Sequence, residues 1–275
     1  MPKNDNMSFW NHLDVLRKVF LRCAAVWFVA AVVAFCFKQQ LFDLIFAPST
    51  NDFVLYRLMR DLSVAWGMES LYPSDFKALF INTELAAQFI THMKMAAWAG
   101  VVVTMPYIVF ELYRFVEPAL YKNEKKHSLP ALVFGSLLFV CGVLLNYFVI
   151  FPFSFRFLST YQVSAEVVNQ ISLSSYISSF LLLSLLMGVM FELPLLGFFL
   201  AKMGLINTSQ LKRYRRHAFV TICVIAAVIT PTGDAITLML VSLPIYLLYE
   251  LTILIVKKQE SCVTRLESRV SKSTD

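Results

Sequence analysis

The sequence has few charged residues. Asp, Glu, Lys and Arg make up 15% of its 275 residues, whereas soluble domains average about 25%. Hydrophobic residues reach 58%, and the mean hydropathy is +0.66. A water-soluble helix needs a polar face at every turn, and long stretches of this chain have none. The composition therefore predicts a membrane protein.

Patterns typical of disulfide scaffolds, metal sites and enzymes are also missing. The five cysteines are scattered singly, without CxxC or Cys/His spacing, and the four histidines lie near the ends of apolar runs. The first pattern excludes a disulfide framework and a zinc site, and the second leaves no histidine to activate a serine inside a bilayer. GxSxG, HExxH and Walker motifs are absent. We therefore expect no catalysis, no metal and no cofactor.

The net charge of +6 does not predict binding to nucleic acid. That function requires basic residues interleaved with aromatic residues on a polar surface. The topology of a membrane protein explains the excess of positive charge better. No internal repeat stands out, which argues against a transporter built from inverted repeats.

Six apolar runs predict an all-α polytopic protein with six transmembrane helices in a single domain, residues 1–256. The predicted spans are about 20–37, 95–113, 132–153, 176–201, 217–230 and 235–256. Five are long enough to cross about 30 Å of hydrocarbon, and the fifth in chain order is short. The first run lacks a small-x-small cleavage site and is expected to remain as a span. The polar segment 257–275 is expected to be a disordered cytoplasmic tail.

Positive charge is distributed unevenly between the two sides of these spans. With loops assigned alternately, 18 of the 24 Lys and Arg residues fall on the side that holds both termini. The positive-inside rule therefore places the N-terminus and the C-terminus in the cytoplasm. The long outside segment 38–91 is expected to hold short helices that lie on the membrane.

Three acids lie within or beside the spans. Glu192 is about 14 Å from the cytoplasmic end of the fourth span, near mid-membrane, where an acid is more often functional than a structural hydrogen-bond partner. Pro194 removes an amide hydrogen and predicts a local kink there. Glu250 is expected to snorkel or to pair with a neighbouring helix. Glu111 is interpreted as an interfacial acid.

Two cytoplasmic segments flank the first two spans, and one of them is a candidate for binding a cationic peptide. The loop after the second span carries Glu117, Lys122 and Glu124, and its simplest interpretation is a solvated, positively charged loop. A carboxylate among cations is nevertheless suited to arginine recognition, because arginine forms bidentate pairs with carboxylates. The segment before the first span, with Leu13 and Leu16 on one helical face, is typical of an amphipathic lead-in.

Four ordered blocks of residues resemble the TatC family, the multi-spanning subunits of the twin-arginine protein translocase. They are His12-Leu13 with Leu16-Arg17 and then Ala47-Pro48; Phe115 with Pro118-Ala119-Leu120-Tyr121-Lys122 and Glu124; Phe191-Glu192-Leu193-Pro194; and Thr230-Pro231 with Asp234, Pro244, Tyr246 and Glu250. The resemblance covers nearly the whole chain. It implies a concave helical bundle in the bacterial inner membrane, with short fifth and sixth helices.

The same resemblance implies the function and the site. The protein would be a receptor for the paired arginines of signal peptides on folded cargo, driven by the proton-motive force. The signal-peptide site would consist of Glu124, Lys122, Phe115, Arg17, Leu16 and Asp14. Glu192 would lie in a polar concavity and contact partner helices or the inserted signal hairpin. Glu250 and Asp234 would also be intramembrane polar contacts, and Pro48 would lie in the periplasmic cap. Val15 occupies the position where the family usually has a glutamate, next to Asp14.

The implied partners are single-span subunits resembling TatA and TatB, twin-arginine signal peptides, the lipid bilayer and further copies of this chain. Two other functions stay open at the level of sequence. A proton-coupled small-solute transporter would use Glu192 as its proton site and would tolerate loss of Glu124. A scaffold without transport function would bind no twin-arginine peptide.

Overall fold

A computed structural model describes residues 9–65, 67, 79–116, 128–161, 169–230 and 234–274. It is almost entirely helical in these ranges. The helices are α1 (Phe9–Cys36), α2 (Lys38–Phe46), α3 (Val54–Ala65), α4 (Ala87–Val116), α5 (Ser128–Leu145), α6 (Phe151–Thr160), α7 (Leu173–Phe191), α8 (Leu193–Lys202), α9 (Thr208–Arg213), α10 (Arg215–Ile229) and α11 (Ala235–Thr274). Two strands, β1 (Phe80–Ile81) and β2 (Ile171–Ser172), form a short parallel pair that the sequence did not predict.

Five described segments are long and apolar enough to cross a membrane. They are Leu13–Cys36, Ala87–Phe115, Val133–Thr160, Leu173–Lys202 and Ala235–Glu260. They correspond to predicted spans one to four and six. The predicted fifth span corresponds to α10, whose 15 residues extend about 22 Å and so fall short of the hydrocarbon thickness.

Two of the long segments are interrupted helices. A π-helical turn, Asn146–Ile150, joins α5 to α6. Pro152 follows it and lacks an amide hydrogen, so the wider turn accommodates the proline without ending the segment. In the fourth span, α7 ends at Phe191 and α8 begins at Leu193. This break lies where Pro194 predicts a kink.

The C-terminal helix corrects two expectations. The sixth helix was expected to be short and residues 257–275 disordered, but α11 continues for 40 residues to Thr274. The segment after Val256 contains neither glycine nor proline, so nothing in it stops a helix that is already nucleated in the membrane. The side chain of Glu260 also accepts a hydrogen bond from the Thr208 amide, at 2.8 Å. The polar composition was therefore a poor guide to disorder here.

The core is centred on α7, and an aromatic cluster closes one end of it. Tyr176 packs against Phe46, Phe80 and Phe151 with ring centroids about 5.1 Å apart, and its hydroxyl donates to the Ile45 carbonyl at 2.8 Å. These contacts hold α2 and the β pair on α6 and α7.

Pro48 lies at the same end of the molecule. It is buried in a 3₁₀ turn, Ala47–Ser49, and its carbonyl accepts a hydrogen bond from the Tyr56 hydroxyl at 3.1 Å. The same hydroxyl lies 2.9 Å from the Pro152 carbonyl. Tyr56 is fully buried and therefore ties the predicted cap segment and α3 to the start of α6. In the described part of segment 38–91, α2 and α3 are short helices, as expected. That they lie on the membrane remains a prediction.

Glycines allow close helix contacts, as is usual in membrane bundles. A Cβ atom on Gly100 would lie 3.0 Å from the Ala31 amide nitrogen, and one on Gly142 would lie 2.5 Å from the Met187 carbonyl oxygen. A Cβ on Gly197 would meet the methyl group of Thr252. The first two pairs leave no room for a side chain because the neighbour is backbone. In the third pair, only the methyl group of Thr252 occupies the space that a side chain at Gly197 would need.

We expect this third contact to show strong coupling in a double-mutant cycle. Gly197→Ala should destabilise the protein by about 1–3 kcal/mol, because the added methyl group overpacks the α8–α11 contact. Thr252→Ser removes the opposing methyl group but keeps a hydroxyl for the Leu248 carbonyl. The double variant should therefore recover at least about 1 kcal/mol of the loss, measured by thermal unfolding in detergent. Additive losses would contradict the packing described.

Candidate functional site

The N-terminal segment and the first span form one helix. Asp14, Leu16 and Arg17 lie on the exposed surface of α1, while Val19 is buried. The predicted amphipathic lead-in therefore continues directly into the membrane-spanning part. Three of the six residues predicted to bind the signal peptide are therefore exposed on this helix.

Antiparallel packing places the start of α1 at the same end of the bundle as the end of α4. The Trp27 indole donates to the Ala97 carbonyl at 3.0 Å, and Arg22 lies 3.7 Å from a carboxylate oxygen of Glu111. Phe115, half-buried, lies one turn beyond Glu111 at the end of α4. The structure thus brings Phe115 to the same end as Asp14, Leu16 and Arg17.

Glu111 is a residue whose role the sequence analysis missed. It was expected to be an interfacial acid, but it is 3% exposed. One carboxylate oxygen accepts a hydrogen bond from Tyr107 at 2.9 Å and faces Arg22. The other oxygen has no hydrogen-bond partner among the described residues. The spacing of Tyr107 and Glu111, four residues apart on a helix, was the available signal. Glu111 fixes α1 against α4 just inside the predicted site.

Glu124, which is predicted to accept the arginine pair, and Lys122, which is predicted to lie beside it, are outside the described residues. The described chain stops at Val116 and resumes at Ser128. Their predicted roles remain predictions from the sequence. Phe115 is the last predicted site residue before this gap.

Glu192 lies in a groove between α4 and the α7–α8 break. The groove has a volume of about 320 Å³ and is otherwise apolar. Its lining residues are Met105, Val109, Leu112, Tyr113, Val189, Glu192, Leu195, Leu196 and Phe199. Glu192 is 8% exposed, and neither carboxylate oxygen has a hydrogen-bond partner among the described residues.

Gly135 of α5 leaves room for the Glu192 carboxylate. A Cβ atom at this glycine would lie 3.1 Å from one of its oxygens and would also meet Leu195. A buried acid without a compensating partner is expensive in a membrane and is characteristic of functional sites. The arrangement is suited to a ligand or partner helix that supplies a hydrogen-bond donor.

Glu250 pairs with a neighbouring helix, which was one of its two expected arrangements. Arg215 at the start of α10 lies 2.6 Å from one carboxylate oxygen, and the Tyr246 hydroxyl lies 3.3 Å from the other. Asp234 acts as an N-terminal cap of α11, because its carboxylate accepts the Thr237 amide hydrogen at 2.7 Å. In the described chain, Glu192, Glu250 and Asp234 have separate surroundings and do not form one polar cluster.

Comparisons with known proteins agree on one family. Residues 11–244 match the family model described as "TatC: Sec-independent protein translocase protein (TatC)". A relative named Sec-independent protein translocase protein TatC, from Blattabacterium sp. subsp. Periplaneta americana, is 32% identical over 92% of this chain and 96% of its own length. A relative of the same name from Helicobacter pylori (strain J99) is 42% identical over 67% of this chain and 73% of its own length.

Solved structures show the same likeness. A crystal structure titled "Twin Arginine Translocase Receptor- TatC" has a TM-score of 0.72 and 28% identity, and the match covers 90% of this chain and 98% of that one. A second, of the same receptor in DDM, has a TM-score of 0.73 and 27% identity, covering 89% and 98%. The family model, the relatives and the fold agree, and this chain belongs to the TatC family of Sec-independent protein translocase proteins.

Proposed function

We propose that this chain is the receptor subunit of a twin-arginine protein export system. It would bind signal peptides of folded proteins at the cytoplasmic face of the bacterial inner membrane. The observation that carries the proposal is the convergence of Asp14, Leu16, Arg17 and Phe115 at one end of the bundle. That end is the side to which the Lys and Arg bias assigns the cytoplasm.

The chemistry of the site follows from its charges. Glu124 accepts the arginine pair, since guanidinium groups form bidentate, charge-assisted hydrogen bonds with carboxylates. Lys122 and Arg17 would complete the site, and their positive charge would disfavour cations of the peptide that are not paired with Glu124. Phe115 and Leu16 contact the apolar segment that follows the arginines. Asp14 supplies a further acid on α1, next to Val15.

The Arg22–Glu111 contact has a positioning role in this proposal. It lies one turn before Phe115 on α4, and on α1 it follows Arg17 by five residues. Because Glu111 is buried, the contact fixes the relative position of the two helices that carry the described part of the site. The signal peptide therefore meets a preorganised surface, which lowers the entropy lost on binding.

Partner subunits would bind within the membrane. We assign single-span proteins resembling TatA and TatB to the Glu192 groove and to the region of the short α10, where an unpaired carboxylate and a thinned bilayer favour helix association. Several copies of this chain would assemble with them. The sequence contains no nucleotide motif, so the proton-motive force is the proposed energy source, and the chain itself performs no catalysis.

A proton-coupled transporter is the second candidate. The observation that favours it is the Glu192 carboxylate, which has no hydrogen-bond partner among the described residues. This alternative requires Glu192 and tolerates loss of Glu124. The receptor proposal gives Glu124 the decisive role, so substitutions at these two positions separate the two functions.

Peptide binding tests the proposed function directly. Purified protein should bind a fluorescent twin-arginine signal peptide, and replacing both arginines by lysine should weaken binding about 10- to 100-fold, because lysine cannot form the bidentate bonds. Fluorescence anisotropy measures both affinities. A peptide of the same composition with its arginines separated is the control. Equal affinity for the arginine and lysine peptides would contradict the proposal.

A further inference from the structure

We infer that a cavity at the end of the bundle opposite the signal-peptide site is a water-filled vestibule that enters the membrane beside α7. The cavity has a volume of about 430 Å³ and is called the outer cavity below. It is lined by Phe151, Ser154, Phe155, Leu158, Ser159, Asn169, Gln170, Ile171, Ser172, Ser175, Tyr176, Ser179, Leu183 and Thr237. The inference rests on the topology of the proposed function but not on peptide binding.

Two helix faces build the outer cavity. On α7 and the strand before it, the lining positions Ser172, Ser175, Ser179 and Leu183 recur at helical spacing, so they lie on one face. On α6, residues 151, 154, 155, 158 and 159 do the same. Thr237 in the first turn of α11 contributes a third wall. None of the lining residues carries a charge, and more than half have hydroxyl or amide side chains.

Buried hydroxyl groups in the wall require a partner. Ser154 is 3% exposed and Thr237 is 1% exposed, and neither side-chain oxygen has a hydrogen-bond partner among the described residues. Buried polar groups almost always bond to protein or to ordered water. The cavity has room for several water molecules, each needing only about 10–15 Å³ of probe volume. The oxygens of Ser154 and Thr237 are closed off from its open space, so the accessible hydroxyl and amide groups of Gln170, Ser175 and Ser179 are the ones that bind this water.

Exposure falls along α7 as expected for a vestibule. Ser175 is exposed, Ser179 is half-buried and Leu183 is 2% exposed. From Ser172 to Leu183 the helix rises by about 16 Å, about half the hydrocarbon thickness. Glu192 lies nine residues further along, about 14 Å away. The stretch of α7 that separates the vestibule from the Glu192 groove is therefore about half as long as a normal bilayer core is thick.

Cysteine labelling tests the inference in a variant with all five native cysteines replaced by alanine. A membrane-impermeant maleimide is added from the periplasmic side to Ser175→Cys, Ser179→Cys and the control Leu182→Cys. Leu182 lies at a depth similar to Ser179 and is 43% exposed, but it does not line the cavity. Reaction needs a thiolate, which forms in water and not in hydrocarbon, so Ser179→Cys should react at least about tenfold faster than Leu182→Cys.

The labelling outcomes separate the alternatives. Equal, slow labelling of Ser179→Cys and Leu182→Cys would overturn the inference, because the cavity would then be dry. Labelling of Ser179→Cys only from the cytoplasmic side would overturn the outward opening. Retained binding of the twin-arginine peptide by the same variants shows that failure here leaves the proposed function intact.

A second measurement needs no substitution and covers the case in which the cysteine-free variant does not fold. Hydroxyl-radical footprinting of the native protein in membranes should oxidise Phe151 and Tyr176, each 3% exposed but lining the cavity. Phe139, which is fully buried and does not line the cavity, should be protected. Protection of all three rings would overturn the inference.

Discussion

Replacing Glu124 by alanine is expected to abolish export of twin-arginine cargo while leaving the protein folded in the membrane. Removing one partner of a desolvated, hydrogen-bonded charge pair costs about 2–5 kcal/mol. The corresponding loss in signal-peptide affinity is about 30-fold or more. Export of a reporter with a twin-arginine signal and peptide binding to purified protein measure the two effects.

The matched control for this prediction is Glu267→Ala. It makes the same charge change in the C-terminal part of α11, far along the chain from the loop that carries Glu124. It should leave both export and peptide binding unchanged. Normal export in Glu124→Ala, and also after removal of Lys122, would show that the site is assigned wrongly and would favour the transporter alternative.

Replacing Glu192 by leucine is expected to stabilise the protein and impair export. The carboxylate is 8% exposed without a described partner, and leucine has a similar length in an otherwise apolar groove. Membrane-insertion scales favour leucine over an acid at mid-membrane by about 3–4 kcal/mol. In a chain of this size that corresponds to a rise in Tm of about 6–16 °C. Thermal unfolding in detergent and reporter export are the two readouts.

Glu192→Gln separates a functional role from a purely structural one. Glutamine keeps the shape and the hydrogen-bonding groups, so it should retain more export than leucine while giving a smaller gain in Tm. A fall in Tm for Glu192→Leu would show that the carboxylate has a bonding partner in the membrane. Full export by a stabilised Glu192→Leu would show that the acid has no role in translocation.

The sequence predicted the parts of the fold that depend on chain length and hydrophobicity. The long apolar runs appear as helices, and Pro194 lies at a real break between α7 and α8. The length of α11 was misjudged because polar composition was taken as disorder, although the segment has no helix-breaking residue. The β pair depends on contact between distant segments, which no local pattern contains, whereas the π-helical turn has a local signal in Pro152 that the apolar run concealed.

The candidate site was predictable only in part, for the same reason. The helical start of α1 follows from its local sequence, although residues 13–18 are exposed all round the helix and not on one face. Glu192 stands out as an acid in an apolar run. The burial of Glu111 depends on which face of α1 packs against α4, and the pairing of Glu250 depends on the position of α10. The serines of the outer cavity are unremarkable singly. They form a site only when α6 and α7 present them to each other.

The length of α11 limits how a folded cargo can approach the protein. Forty residues extend about 60 Å, twice the hydrocarbon thickness, so in the proposed topology the helix projects well into the cytoplasm. The bond between Glu260 and the Thr208 amide fixes its angle where it leaves the membrane. The α11 helix packs on the side of α8, α9 and α10, whereas α1 packs against α4. In the proposed function, a bulky domain attached to a signal peptide would therefore dock from the side that presents α1.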